Sequence, residues 1–121
     1  MALIPIYTSR GDPEAFLEYP YLFNRNGDWV GWVTAGREVY SVIGYFVGYL
    51  GSGPRILRKR ATSTLRPRQT PPSPPGRVYL PATIPLPPMM SELSSSTIDV
   101  LLDEPERLHT LDVGELREDM E

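Results

Sequence analysis

Seven cationic side chains, Arg55, Arg58, Lys59, Arg60, Arg66, Arg68 and Arg77, fall within residues 55–77 without one carboxylate among them. Guanidinium groups at that density bind phosphate or carboxylate. The aromatic residues Trp29, Trp32, Tyr45 and Tyr49 precede them. Together they suggest a nucleic-acid surface, with Arg55 to Arg68 on phosphates and the rings stacked on bases. Blander arrangements compete: the arginines pair with the chain's own acidic end, meet an acidic protein partner, or are solvated. A sequence pI near 5.2 argues against a dedicated nucleic-acid binder, for which a basic domain is expected.

Other chemistries are narrowed by composition. The chain has no cysteine and a single histidine, His109, which excludes disulfide staples, thiolate ligands, Cys nucleophiles and any site that needs two imidazoles. His109 reads as a surface or groove residue. No cofactor or metal is expected, and the patterned region offers almost no polar constellation that could serve as a catalytic centre. The net charge of −3 is unevenly spread: residues 92–121 carry ten acidic and two basic groups. Blocks of one sign usually meet the opposite sign, within the chain or outside it. No apolar run approaches the length of a membrane span, and the first residues lack the pattern of a secretory signal, so a cytoplasmic location is expected.

The element that must position these groups is a repeat. Leu22 to Val33 returns 17 residues later as Val39 to Leu50, and Gly27/Gly44, Val30/Val47, Gly31/Gly48 and Gly36/Gly53 are identical pairs. Such a unit reads as strand, glycine turn, strand. Five strands are expected, over residues 21–24, 28–34, 38–41, 45–50 and 55–58. Short links join them, Asn26-Gly27 being the clearest hairpin signal. Fold class follows: mainly β, a small antiparallel meander or curled sheet, then an extended arm and a short C-terminal helix. Alternation puts Val30 and Trp32 on one face and Trp29, Gly31 and Val33 on the other, so both faces are apolar and need cover. At Gly31 and Gly48 the expectation is a bend or a neighbouring aromatic, with a partner backbone or ligand ring as the functional alternative.

Around the repeat domain, residues 21–60, the chain divides into a lead-in over 1–20, a basic and proline-rich arm over 61–90 and an acidic tail over 91–121. Leu3 to Tyr7 suits an edge strand, and Asp12-Pro13-Glu14 suits the cap of one helical turn over Ala15 to Leu17. Nine prolines between Pro67 and Pro88 make the arm a polyproline-II segment. Arg68 to Pro74 has the weak Arg-x-x-Pro-x-x-Pro shape of a groove-docking peptide. Val78, Tyr79, Leu80, Ile84, Leu86, Met89 and Met90 are more apolar than a solvated spacer needs, which favours an arm laid on a surface. Ser94 to Leu102 reads as a short capped helix with Ile98, Leu101 and Leu102 on one side. Pro105 interrupts it before a turn lined by Leu108, Leu111, Val113 and Leu116.

The doubled Gly-Asp-Trp-Val-Gly-Trp and Gly-Tyr-Phe-Val-Gly-Tyr unit, the run ending Pro85-Leu86-Pro87-Pro88-Met89-Met90 and the acidic tail resemble small bacterial proteins described as having a four-fold beta-flower domain. The resemblance covers Tyr21 to Arg58, with Leu3 to Tyr7 and Arg55 onward as partial units. It implies a small antiparallel β domain, symmetric assembly and no established enzymatic activity.

The expected function is a non-catalytic accessory subunit, a homo-oligomer or part of a larger protein complex. Its partner contacts are expected from Trp29, Trp32, Tyr45, Tyr49, Arg58, Lys59, Arg60, Tyr79, Leu80, Ile84, Leu86, Met89, Met90, Ile98, Leu101 and Leu102. A nucleic-acid accessory protein and a small-molecule barrel built around Trp29, Trp32, Tyr45 and Tyr49 are the alternatives.

Overall fold

The computed structural model describes residues 3–51, 53–61 and 66–111. Eight strands form one antiparallel sheet in which every neighbour in sequence is a neighbour in space. They are β1 (Ile4–Tyr7), β2 (Pro13–Glu18), β3 (Tyr21–Phe23), β4 (Trp29–Val33), β5 (Glu38–Ser41), β6 (Phe46–Leu50), β7 (Ile56–Lys59) and β8 (Thr97–Asp99). A short helix, α1 (Val100–Asp103), and one 3-10 turn (Pro105–Arg107) follow. The sheet curls into a half-barrel. Its two ends approach one another: the Tyr7 amide donates to the Pro54 carbonyl at 2.7 Å, and the Ser9 amide donates to the Asp99 carboxylate at 2.6 Å.

Pairing the strands two by two gives four hairpins, β1–β2, β3–β4, β5–β6 and β7–β8. The first three have the same turn. In each, the amide of a polar residue donates to the carbonyl of the residue four ahead, and its own carbonyl accepts the amide of a glycine three ahead: Thr8 with Asp12 and Gly11, Asn24 with Asp28 and Gly27, Ser41 with Tyr45 and Gly44. The side-chain oxygens of Thr8, Asn24 and Ser41 accept a further amide each from Asp12, Asp28 and Tyr45. Gly11, Gly27 and Gly44 all have positive φ, at 89°, 83° and 93°, where glycine alone is unstrained. The fourth hairpin has no such tip. In sequence its two strands are separated by residues 60–96, which include the proline-rich arm.

Each of the first three hairpins also carries one bulge, at Glu14, Val30 and Val47, each skipped in the pairing register. A bulge places two residues against one and shifts the alternation. The expected face assignment is therefore corrected: Val30 lies with Val33 in the main core, while Trp29 and Trp32 share the other cluster with Phe23. The inner face is a ring of aliphatic residues, Ile6, Leu17, Leu22, Val30, Val39, Val47 and Ile56 among them, closed by Val100, Leu101 and Leu108.

Gly31 and Gly48 serve this closure. A Cβ on Gly31 would lie 2.8 Å from Leu108 Cδ2 and 2.6 Å from the Tyr40 carbonyl oxygen, and one on Gly48 would lie 3.3 Å from Val100 Cγ2 and 2.6 Å from the Leu57 oxygen. The close approach comes from the chain's own backbone and from the C-terminal side chains Leu108 and Val100, not from an overlying aromatic ring.

The five strands expected between residues 21 and 58 are present, β5 with both ends as expected and the others with ends shifted by no more than one residue, and β1 lies where an edge strand was expected. Two helix expectations are corrected. Residues 13–18 form β2, because Glu14 is the bulge and Ala15 and Leu17 face the core, a pattern that a single turn of helix would break. Residues 97–99 form β8 on β7, and the helix begins only at Val100, capped by the Asp99 carboxylate on the Leu102 amide. Val113 and Leu116, expected in a final amphipathic turn, lie outside the described residues.

Candidate functional site: the arm across the hairpin tips

The arm crosses the hairpin tips in reverse order. At the β5–β6 tip, Arg68 Nε donates to the Ile43 carbonyl at 2.7 Å and the Gln69 amide donates to the Gly44 carbonyl at 2.9 Å. At the β3–β4 tip, Arg77 donates to the Asn26 carbonyl at 3.0 and 2.8 Å and the Val78 amide donates to the Gly27 carbonyl at 3.0 Å. Nine residues further along, Leu86-Pro87 reaches the β1–β2 tip, where Pro87 Cγ lies 3.1 Å from where a Gly11 Cβ would stand. Proline has no amide to give, so this third contact is made by packing alone. Arg68-Gln69 and Arg77-Val78 are thus one device used twice: a guanidinium and the next amide grip two successive carbonyls of a glycine turn.

Tyrosine hydroxyls fix the arm between these points. Tyr21 donates to the Ser73 carbonyl at 3.0 Å, and Tyr7 donates to the Pro85 carbonyl at 2.6 Å. Trp29, Pro74, Pro75 and Arg77 line a cavity of about 300 Å³ there. Burial repeats every third residue in two runs, Pro72, Pro75 and Val78 and then Ile84, Pro87 and Met90, with Pro71 and Leu80 half-buried outside them and Pro81 exposed between them. A helix of three residues per turn produces that pattern, as polyproline II requires. The outer aromatic face of the sheet is covered in this way. Arg66 completes the cover, with its guanidinium carbon 3.8 Å from the centre of the Phe46 ring and Nη1 2.9 Å from Glu38 Oε2. Tyr40 lies beside this pair, stacked on Trp32 at 4.9 Å. Burial and then Glu38 push its hydroxyl pKa up, while bonding to Glu38 raises that of Arg66.

The basic segment is engaged within the chain. Arg58 is 5% exposed and makes a two-pronged bond to Glu104, at 2.7 and 3.1 Å, with a third contact to the Val47 carbonyl. The Arg58 guanidinium, supported by Arg107, holds the Glu104 carboxyl below its ordinary range against the opposing effect of burial. Arg55 is buried on Ser9 Oγ, and Arg60 donates to the Ser95 carbonyl. Lys59 is exposed.

The residues expected to bind partners therefore separate into groups. Trp29, Arg58, Ile98 and Leu101 are buried within the chain; Trp29 donates its indole N–H to the Gly31 carbonyl, and Ile98 and Leu101 anchor the C-terminal segment to the chain's own core. Trp32, Tyr49, Leu80, Ile84, Met90 and Leu102 are half-buried. Tyr45, Lys59, Arg60, Tyr79, Leu86 and Met89 are exposed. Trp29, Trp32, Tyr45 and Tyr49 do not surround one pocket. Tyr45 stands on a hairpin tip below Arg68, and Tyr49 pairs with Glu38 and Leu57 further down the sheet. His109 is half-buried, its Nδ1 2.9 Å from the Thr110 carbonyl oxygen.

Tyr7, Tyr21, Gly11, Gly27 and Gly44 are the positions that sequence reasoning left out of the site. The signal was there: a polar residue three before each glycine, at 8, 24 and 41, is what aligns the β1–β2 hairpin with the other two. Among the described residues there is no group of three His, Cys, Asp or Glu side chains placed to hold a metal, and no helix long and apolar enough to cross a membrane. Comparison with known proteins finds no matching family model, no similar curated protein and no similar solved structure.

Proposed function

We propose that this chain is a non-catalytic subunit of a protein assembly, in which the β module is a rigid mount and the proline-rich arm carries the contacts with a partner. The observation behind it is the state of the arm. Though gripped at the hairpin tips, it leaves Tyr79, Leu86 and Met89 at 96%, 90% and 102% exposure. Three large apolar side chains held out to water on an ordered segment suit a surface awaiting cover better than a linker. Assembly of several copies, and membership of the beta-flower group that the Gly-aromatic repeat resembles, belong to the same proposal.

The polar groups that the fold brings together favour binding over catalysis. The three groups with displaced pKa values, Tyr40, Arg66 and Glu104, lie in contacts that tie one segment of the chain to another. Nucleic-acid binding is the weaker reading because six of the seven cations in residues 55–77 already bond within the chain.

The test replaces residues 69–90 with a glycine and serine linker of equal length, leaving β7, β8 and α1 intact. The altered protein, checked for its β spectrum, is expected to lose the co-purifying partner or the oligomeric mass that native mass spectrometry finds for the natural chain. An unchanged mass and partner set would end this reading.

A further inference from the structure

The seam between the two ends of the sheet holds a cavity of about 400 Å³, where the arm runs back into β8. Ser9, just past β1, Arg55, just before β7, and Asp99, the last residue of β8, all line it. Five charged side chains are on its wall: Arg55, Arg60, Glu92, Asp99 and Asp103. Among the described residues none of the five is in an ion pair.

Arg55 is the anomaly among them. It is 4% exposed, yet among the described residues its guanidinium makes one bond, from Nη1 to the neutral Ser9 Oγ at 3.1 Å, and Nε has no partner. A cation removed from water is costly unless it is paired and hydrogen-bonded. Arg58 shows the ordinary solution, with two nitrogens on Glu104. The buried carboxylate on the cavity wall, Asp99, is turned to other donors: Oδ2 takes the Ser9 amide at 2.6 Å and Oδ1 takes the Leu102 amide at 3.4 Å. Glu92 and Asp103 are exposed, at the rim, and stand there without a cation.

We propose that the seam cavity binds a free apolar amino acid, with the ligand carboxylate on Arg55 and the ligand ammonium on the Asp103 and Glu92 carboxylates. Ser9 Oγ accepts from Arg55 and keeps its own proton to give to a carboxylate oxygen. The wall carries two cationic and three anionic groups, so a phosphate dianion or a dicarboxylate meets net repulsion there. A ligand with one charge of each sign pairs Arg55 without adding net charge, and the end of a peptide chain brings only one of the two. Met90, Leu93 and Leu102, all half-buried, give the apolar part of the ligand its contacts. The volume lies at the low end of ligand pockets, which run from about 300 to 1,000 Å³. The inference does not depend on whether the arm carries a partner.

The experiment follows the full chain by thermal melts and saturation-transfer NMR. The probes are L-leucine and L-methionine, set against leucinamide, which lacks the carboxylate, N-acetylleucine, which lacks the ammonium, and inorganic phosphate. A ligand that binds only the folded chain stabilises it, so leucine or methionine is expected to raise the midpoint saturably within about 10 mM and to show saturation transfer. The three controls are expected to do neither. The double variant Glu92→Gln/Asp103→Asn, at two exposed positions, is expected to fold as the natural chain does and to weaken leucine binding at least about fivefold. Arg55→Met keeps the apolar stem and removes the buried cation; it is expected to keep the β spectrum and to lose the leucine response. Should that variant not fold, the double variant decides alone. No saturable response to either amino acid would overturn the inference. So would an equal response to leucinamide, N-acetylleucine or phosphate, or undiminished binding by a folded variant.

Discussion

The Val78 amide and the Gly27 carbonyl are joined at 3.0 Å, and the space beside that bond admits no side chain: a Cβ on Gly27 would lie 2.0 Å from the Val78 oxygen. Gly44 stands in the same relation to Gln69, at 2.1 Å. Gly27→Ala and Gly44→Ala should each destabilise the chain by at least about 2 kcal/mol, from the left-handed backbone and the clash together. The arm should also lift, and limited proteolysis within residues 66–90 would register this as faster cleavage. Gly76→Ala, with nothing within 4 Å of the new methyl, should leave both readouts unchanged or slightly improved.

The Arg58–Glu104 pair sets a dependence on acid. Its carboxyl pKa is lower in the folded chain than the ordinary 4.5, so the pair's contribution is complete above that pH and is lost as pH falls through the folded value. Thermal melts from pH 7 down to pH 3 should show a decline in midpoint below about 4.5 that Glu104→Gln makes shallower. At neutral pH the same substitution should cost up to about 3 kcal/mol, the low end for a buried pair, because the Glu104 side chain is 23% exposed.

The two tryptophans should differ. Trp29 is buried and its N–H is bonded at 2.7 Å, so Trp29→Ala should cost about 3 to 5 kcal/mol, enough to unfold so small a domain. Trp32 is half-buried, and stacking on Tyr40 adds about 1 kcal/mol, so Trp32→Ala should cost about 1 to 2 kcal/mol and leave a folded protein. Denaturant melts of both variants would separate them, and equal losses would contradict the burial difference.

Binding of a mixed oligonucleotide across a salt series tests what the engaged arginines imply. Affinity should stay in the weak, non-specific range, with a salt slope far below that of a seven-cation contact. A steep slope would mean that the arm releases its arginines in solution.

Much of the sheet was legible because its punctuation is local. Glycine turns and alternation between Leu22 and Leu50 mark β3 to β6 within one residue. Pro13 and Glu14 hid the third copy of the unit, since proline imitates a helix start and the bulge disturbs the alternation on which strand reading depends. Thr97 to Asp99 were hidden for another reason: three residues cannot show a period, and a serine run before them imitates a helix cap. The path of the arm was not legible at all. The nine-residue step from Arg68-Gln69 to Arg77-Val78 means nothing until the tips at Gly44 and Gly27 stand beside one another in space. Arg58 illustrates the remaining difficulty, since a buried guanidinium has the same letter as a solvated one.

The missing tip of the fourth hairpin bears on the order in which the molecule assembles. Three hairpins close over turns of a few residues, fast local events that need nothing from the rest of the chain. The fourth must bring residue 99 back to residue 57 across the whole of residues 60–96, and closing that loop costs roughly 2 kcal/mol more in chain entropy than closing a three-residue turn. During synthesis β7 is therefore an unpaired edge until the arm and the Thr97–Asp99 strand have both emerged. A nascent or truncated chain ending before residue 97 exposes that edge together with an inner face that lacks Val100, Leu101 and Leu108, which makes the stretch between β7 and β8 the interval in which this protein is most open to misassembly.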